Sequence, residues 1–564
     1  MTAITSLNTD NLDTGRTETF TNMLRGCTAL TELDASHWDM SSATAINSMF
    51  RESTALKNLN LSGWEIGNVT NARYMFLGCT NLVELDATNW DTSSVENMSA
   101  VFNNCTSLQT ITGTETWDMS SCTDMSMLFN NCTSLQTLNV TGWDVSKVTN
   151  FSSAFSGCSA LTDLAGSSTW RPSSATNMSS MFNNCLSLPS LDVTGWDTSD
   201  VTDMSLMFYC NKRLIAITGL NTWDMSNVTT TYGMFYRCES LQKLDNIGDW
   251  DTGKVTNMGH MFRFCYELIE VDVSNWDVSS VESMTCLFYE CKKLANIDVS
   301  GWKPCSVADM SGMFNHCEVI TKLDVSNWDV SKVTNFAMTF QSCNALEELN
   351  VSNWNTGSAT TMGWMFWGCN SIKLLDVSNW DVSDVTVMSH MFRGCNSLLT
   401  MPVDDWDVSN VESMDALFHS CSSLTTINVS KWKTGNVREF SQMFEGCEEL
   451  AEIVGMGGLD TSNCRNFDEM FSWCYALKVL DLSGWDTSSV TPGYKNENGD
   501  ICRGFEYAFN AMNSQEMNRS DLYVAECYAN PGPTLKRYVA RSRGSASPML
   551  KRTCHISVVL DQKK

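Results

Sequence analysis

The chain has 564 residues, and its 64 acidic against 36 basic side chains leave a formal net charge of -28. With 43% hydrophobic, 10% aromatic and 18% charged residues and only 8 prolines, it reads as folded over most of its length, which excludes a disordered polyanion. Such acidity repels a phosphate backbone and argues against nucleic acid as a partner, and the absence of any run of 18 apolar residues argues against a transmembrane segment.

The N-terminal stretch MTAITSLNTDNLDTG lacks the basic start and apolar core of a secretory signal. It is also too short and too plain to be the polar cap that a stacked repeat needs, so the expectation is either an N-terminally incomplete chain or an unusual cap. From there tryptophan, mostly followed by aspartate, recurs at Trp38, Trp64, Trp90, Trp117, Trp143, Trp170, Trp196, Trp223, Trp250, Trp276, Trp302, Trp328, Trp354, Trp380, Trp406, Trp432 and Trp485. With Leu12 and Leu459 in the same slot, the step is always 26 or 27 residues. A constant step of that size means one supersecondary unit per repeat, stacked because no single unit can bury its own apolar face.

Within the coil from Trp276 to Trp302, Met284, Leu287, Phe288 and Cys291 fall at i, i+3, i+4 and i+7, which predicts one face of a short helix. Leu294, Ile297, Val299 and Trp302 then predict a short strand that pairs in parallel with its counterparts in adjacent coils. The fold class expected is therefore α/β: a solenoid with one short strand and one short helix per coil.

Two columns of identical side chains follow from the period. Phenylalanine recurs from Phe50 to Phe471, and three residues after most of those slots stands cysteine, which with the equivalent Cys27 makes sixteen of the 24 in the chain. No C-x-x-C pair suggests zinc binding, and the six histidines are scattered over distant coils rather than gathered as bases for a reactive thiol, so these cysteines read as reduced core residues. Cys122 and Cys464, in slots where other repeats carry valine, read likewise. The aspartate after each tryptophan makes a third column, read as turn capping through D-x-S and D-x-G rather than as a cation ladder.

Phe-x-x-Cys-x-x-Leu leading into L-x-x-L-D-V-S-x-W-D-x-S-x-V-x-x-M, as in Phe262 to Met284, resembles the 26-residue repeat of BspA-like leucine-rich-repeat surface proteins. The resemblance implies a right-handed leucine-rich-repeat-like solenoid and a role in adhesion or protein recognition at the cell surface or outside the cell. The tryptophan here departs from the asparagine or cysteine that ordinary leucine-rich repeats carry in that slot. With no signal peptide visible, a cytoplasmic location stays open.

Function is expected where the repeat varies while its core does not. The two residues between Phe and Cys are mostly small or polar, but they turn aromatic in the middle coils, at Tyr209, Tyr236, Phe264 and Tyr289, then around Trp364 and Trp367. These six form the candidate partner-binding patch, for a protein or a surface glycan, with self-association as a further possibility. No zincin, Walker, nucleophile-elbow or dinucleotide motif is present, and no cofactor, metal or catalytic residue is expected.

The repeat pattern breaks after Thr491. The domain reading is a repeat solenoid over 1–490 of about 18 coils, an irregular C-terminal cap over 491–535, and a basic, flexible tail over 536–564. The functional expectation is a non-enzymatic recognition or adhesion solenoid, the alternative being an intracellular scaffold for protein–protein interaction.

Overall fold

A computed structural model describes residues 3–244, 246–486, 488–489, 522–529 and 556–562. It divides into two compact units, Met1–Lys303 and Pro304–Lys564. Each is a β-solenoid built from the same coil. In the first unit a ladder of parallel bridges runs from Thr19 through Ala45, Asn71 and Asn97 to Asn257 and Ser283. In the second it runs from Asp309 through Asn335, Thr361, Val387, Ser413 and Glu439 to Asn466.

The expected strand is short and is not formed in every coil: in the coil from Trp276 to Trp302 an isolated parallel bridge, Glu270 to Asn296, stands in its place. Glu32–Asp34 pairs in parallel with Asn58–Asn60, Glu84–Asp86 with Thr110–Thr112, and Thr426–Asn428 with Glu452–Val454. In most strands the middle residue is buried between exposed neighbours, as in Glu84–Asp86, which is the period of two that the sequence showed.

The expected helix is not formed. Among the described residues there is no α-helix, and the only helical pieces are four 3-10 turns. The apolar spacing has a different cause. In the coil of Met258 to Cys265, Met261 N–H donates to Met258 O (3.2 Å) and Cys265 N–H to Phe262 O (3.1 Å), closing two four-residue turns in tandem. The first and last residues of each turn, Met258, Met261, Phe262 and Cys265, are fully buried. Two tandem turns therefore reproduce the i, i+3, i+4, i+7 signature of a helix. The third residue of each turn, His260 (φ 59) and Phe264 (φ 62), lies in the left-handed region, as a type II turn requires there. Arg263 N–H also stays in the coil, donating to His260 O (3.1 Å), but the alternate N–H groups leave it. Those of His260, Phe262 and Phe264 donate to Thr285, Leu287 and Tyr289 carbonyls of the next coil at 2.8–2.9 Å, so the backbone is satisfied between coils rather than along a helix axis.

The aromatic columns form as expected within each unit. Phe50 and Phe76 stack at 5.3 Å, Phe262 and Phe288 at 5.4 Å, and Phe366 and Phe392 at 5.6 Å, with Trp90 to Trp117 and Trp354 to Trp380 both at 6.0 Å. Offset stacking of this kind adds roughly 0.5–1.5 kcal/mol per pair beyond burial. Tryptophan also supplies a donor: Trp276 Nε1 donates to Ile247 O and Trp380 Nε1 to Val351 O, in each case to the preceding coil.

Four of the five 27-residue steps, those ending at Trp117, Trp170, Trp223 and Leu459, carry a 3-10 turn just before the slot, at Thr114–Thr116, Ser167–Thr169, Leu220–Thr222 and Met456–Gly458. Each follows a glycine, such as Gly219 (φ +96), at which an added Cβ would stand 2.5 Å from Thr194 backbone atoms. Where such a turn precedes it, the indole N–H of Trp117, Trp170 or Trp223 is buried without an acceptor. The tryptophan of the following coil instead donates to the first carbonyl of the turn, as Trp143 does to Thr114 O and Trp250 to Leu220 O.

Cysteine occupies its column as a buried thiol that donates to the phenylalanine carbonyl of the preceding coil, for example Cys265 Sγ to Phe235 O (3.2 Å) and Cys421 Sγ to Phe392 O (3.2 Å). Where serine replaces it, Ser53 Oγ donates to Leu24 O (2.7 Å), whereas Asn211 in the same slot accepts Cys185 N–H through Oδ1 (2.8 Å) and keeps a buried Nδ2 without an acceptor. Burial pushes these thiols up, Cys79 and Cys395 to about 12. The aspartate columns cap turns: Asp277 Oδ1 accepts Ser279 N–H (2.9 Å) and Asp381 Oδ1 accepts Ser383 N–H (3.0 Å). Among the described residues no cluster of three or more metal-ligating groups is found. Further along, Leu522–Ala529 pairs antiparallel with Ile556–Gln562, while residues 490–521, 530–555 and 563–564 lie outside the described part.

Candidate functional site

Because the first and last residues of the second turn are held in the core, its two middle residues must face outward. The residue after each phenylalanine therefore forms an external column, which in the first unit includes Tyr209, Tyr236, Arg263 and Tyr289. All four are partly buried against one another. Tyr209 meets Tyr236 edge to face at 4.9 Å, Tyr236 lies 5.7 Å from Phe264, and Phe264 meets Tyr289 edge to face at 5.5 Å. Four of the six expected patch residues thus form one continuous cluster. Burial raises the phenol pKa of Tyr209 and Tyr289 above the ordinary value.

A cation that the aromatic pattern did not reveal sits at the centre. Arg263 lies over Phe264 (4.8 Å), Tyr289 (4.5 Å) and Tyr236 (5.6 Å), and its Nη1 stands 3.2 Å from His260 Nδ1. Its Nε is buried without an acceptor. The imidazole of His260 stacks on Tyr236 at 5.9 Å and meets Tyr232 at 5.3 Å.

The remaining two expected residues lie in the second unit around another histidine. Trp364 and Trp367 stand 5.4 and 6.2 Å from His390, and Arg393 lies over Trp367 at 5.6 Å, with Nη1 3.5 Å from His390 Nδ1. The tetrapeptide H-M-F-R, at 260–263 and again at 390–393, was the sequence signal for both centres. Here His390 Nε2 pairs with Asp415 Oδ2 at 3.1 Å, and Ser441 Oγ donates to Asp415 Oδ1. Alongside, His419 Nδ1 is 2.8 Å from Ser420 Oγ and its Nε2 is 3.2 Å from Glu445 Oε2. Burial, with the Arg393 charge second, lowers the His419 pKa to about 4, while burial and then Glu469 raise that of Glu445 to about 7.

The Ser420, His419 and Glu445 series has the order of a nucleophile, a base and an acid, but acyl transfer also needs donors for the oxyanion. The neighbouring N–H groups are committed: Ser420 N–H donates to Glu445 O, Cys421 N–H to Phe418 O and Gly446 N–H to Ser472 O. Elsewhere, a shallow groove crosses the first strands, lined by Glu32, Asp34, Lys57, Asn60, Glu84 and Asp86. Its Asp34 and Asp86 carboxylates are occupied by Ser36 and Thr88. The turn face therefore carries the richest chemistry.

A family described as "Mycoplasma protein of unknown function, DUF285" matches residues 1–114, 108–218, 210–323, 293–396, 318–426, 360–455 and 416–496. A second, described as "Ribosomal protein L22p/L17e", matches residues 506–561. That segment is similar to large ribosomal subunit protein uL22 of Acetivibrio thermocellus, 54% identical over 54 residues, or 10% of this chain and 43% of that protein. It is also similar to the uL22 of Ligilactobacillus salivarius, 54% identical over 54 residues and 47% of that protein. The chain thus spans less than half the length of these curated relatives. Among solved structures, similarity extends to a leucine-rich repeat protein of Bacteroides ovatus, with TM-score 0.25, 14% identity and coverage of 77% of this chain and 80% of that one. A leucine-rich cell surface protein of Faecalibacterium prausnitzii gives TM-score 0.29, 18% identity and coverage of 66% and 83%.

Proposed function

We propose that this chain, which belongs to the DUF285 family of Mycoplasma proteins of unknown function, is a non-enzymatic recognition solenoid that binds a protein partner on its turn face. One observation carries the reading. The inward columns keep Phe and mostly Cys from coil to coil, whereas the outward residues between them change from polar to aromatic over a few coils. Large rigid rings at a face that the core does not constrain contribute contact area at low entropic cost. The committed N–H groups around His419 support the absence of acyl-transfer chemistry. The resemblance of the repeat to that of BspA-like surface proteins supports placing the protein at a cell surface, in adhesion.

The binding reading is tested by probing immobilised extracellular proteins and glycans with the full chain and with a Tyr209→Ala/Tyr236→Ala/Tyr289→Ala variant. Retention on protein that falls at least about tenfold in the variant is expected. Equal retention of the two chains refutes the patch, and retention on glycans alone replaces the protein partner. Location is read separately, by protease treatment of intact producing cells, since a surface chain is digested and an internal one is spared.

A second reading, an intracellular repeat scaffold, is favoured by the match of residues 506–561 to a ribosomal protein. In that reading the basic segment docks the solenoid on the large ribosomal subunit. Cosedimentation of the full chain with purified large subunits, lost when residues 506–561 are removed, is the expected result. Failure to cosediment removes this reading.

A further inference from the structure

The two H-M-F-R centres occupy equivalent places in their units, and they differ in one respect that identifies a ligand. In both, an aromatic ring of the preceding coil (Tyr236 or Trp367) lies under an arginine and beside a histidine. In both, the arginine is directed at the histidine Nδ1. In the second unit the next coil supplies a carboxylate: Asp415 bonds to His390 and lies close enough to Arg393 to feel its charge. In the first unit the position equivalent to Asp415 is Thr285, which has no charge to offer.

The other acids near Arg263 are engaged elsewhere. Glu239 pairs with Lys212 (3.2 Å) and Arg237 (3.6 Å), Glu290 with Lys292 (3.1 Å), and Glu267 with Lys293 (2.6 Å). Arg263 enters no ion pair among the described residues and keeps a buried Nε without an acceptor. Yet rings on several sides hold it in place. A guanidinium fixed in this way is a preorganised fork for a planar carboxylate, and forming that pair costs little further side-chain entropy.

We propose that Arg263 and the rings of Tyr236, Phe264 and Tyr289 bind a carboxylate from an acidic segment of a partner protein, in the place that Asp415 fills for the second centre. This rests on the recognition role of the turn face and specifies its partner's chemistry.

The test uses the full chain with a peptide of alternating glutamate and tyrosine, and with its counterpart carrying glutamine for glutamate, followed by titration calorimetry at two salt concentrations. One acidic peptide is expected to bind per chain, more weakly at high salt, and the glutamine peptide at least about tenfold more weakly. Arg263→Gln is expected to abolish the preference. Thr285→Asp, which gives the first centre the acid that the second already has, is expected to do the same in a chain of unchanged thermal midpoint, while Arg393→Gln leaves binding intact. Failure of the acidic peptide to bind, equal binding of both peptides, binding unaffected by Thr285→Asp, or binding of a uronic-acid oligosaccharide in place of the peptide would each overturn the inference. Retention on immobilised proteins that depends on Tyr289 but not on Arg263 would leave the recognition role standing and remove only the carboxylate.

Discussion

Met127 distinguishes a helix from tandem turns by the sign of one measurement. It is the third residue of the turn from Met125 to Leu128, with φ 55, and is 43% exposed. On a helix its slot would be an outward interior position, where glycine is about 1 kcal/mol less stable than alanine. In the turn, alanine in the left-handed region carries roughly 1–2 kcal/mol of strain that glycine avoids, against about 0.5–1 kcal/mol of extra backbone entropy. Met127→Gly should therefore be more stable than Met127→Ala by about 0.5–1 kcal/mol, reversing the helical order. Comparing the two variants cancels the burial lost with the methionine side chain. Asn130, the second residue of the next turn and not among the residues of positive φ, serves as a control at which glycine should be the less stable by about 0.5–1 kcal/mol. A solenoid need not unfold in one step, so the measurement is amide hydrogen exchange over peptides spanning residues 120–160, supported by urea midpoints. Alanine more stable than glycine at both sites would refute the tandem-turn account.

Gly219→Ala should cost at least about 2–3 kcal/mol, because it adds a Cβ 2.5 Å from Thr194 backbone at a φ of +96; a urea midpoint equal to that of the parent chain would contradict the close approach. Cys265→Ser should cost about 1 kcal/mol or less, since a hydroxyl keeps the bond to Phe235 O as Ser53 does to Leu24 O, whereas Cys265→Val loses the donor and overfills the slot for about 1–3 kcal/mol. Thermal unfolding of the two variants checks this order, and native Cys265 should resist a thiol reagent until the chain unfolds, because burial holds its thiol protonated. His419 and Glu445 should give opposite pH slopes. The His419 pKa falls on folding from 6.5 to about 4, so stability is lost as pH drops through that window; that of Glu445 rises from 4.5 to about 7, so stability is lost as pH climbs. The parent chain should be nearly flat from about pH 4.5 to 6.5, Glu445→Gln should gain about 1–2 kcal/mol across it, and His419→Gln should lose a similar amount, read from exchange over residues 410–470. Parallel slopes in the two variants would exclude the assignment.

The period, the parallel strand and the identity of the core columns were legible in the residues. Phe262 and Phe288 stack because a buried slot between equivalent neighbours imposes the same volume on every coil, and a 26-residue step records that constraint in the sequence. The outward column of Tyr209, Tyr236 and Tyr289 was legible for the same reason, as residues one period apart become neighbours. Phe264 joined them although it occupies the left-handed slot beside that column. What the pattern left undecided was the path of the backbone between Met258 and Cys265. Helical spacing and two consecutive four-residue turns place the same residues inside, and they differ in where the N–H groups go, all to the fourth residue back or alternately to the third residue back and to the next coil. Only stacked neighbours can supply the second set of acceptors, so only the tertiary structure decides for turns and for positive φ at His260 and Phe264. The same holds for the charges. H-M-F-R reads identically at 260–263 and 390–393, but whether its histidine meets an acid, and its arginine has a carboxylate charge nearby, depends on residue 285 or 415 one coil away, and that is set by contact across the stack rather than by anything local to the motif.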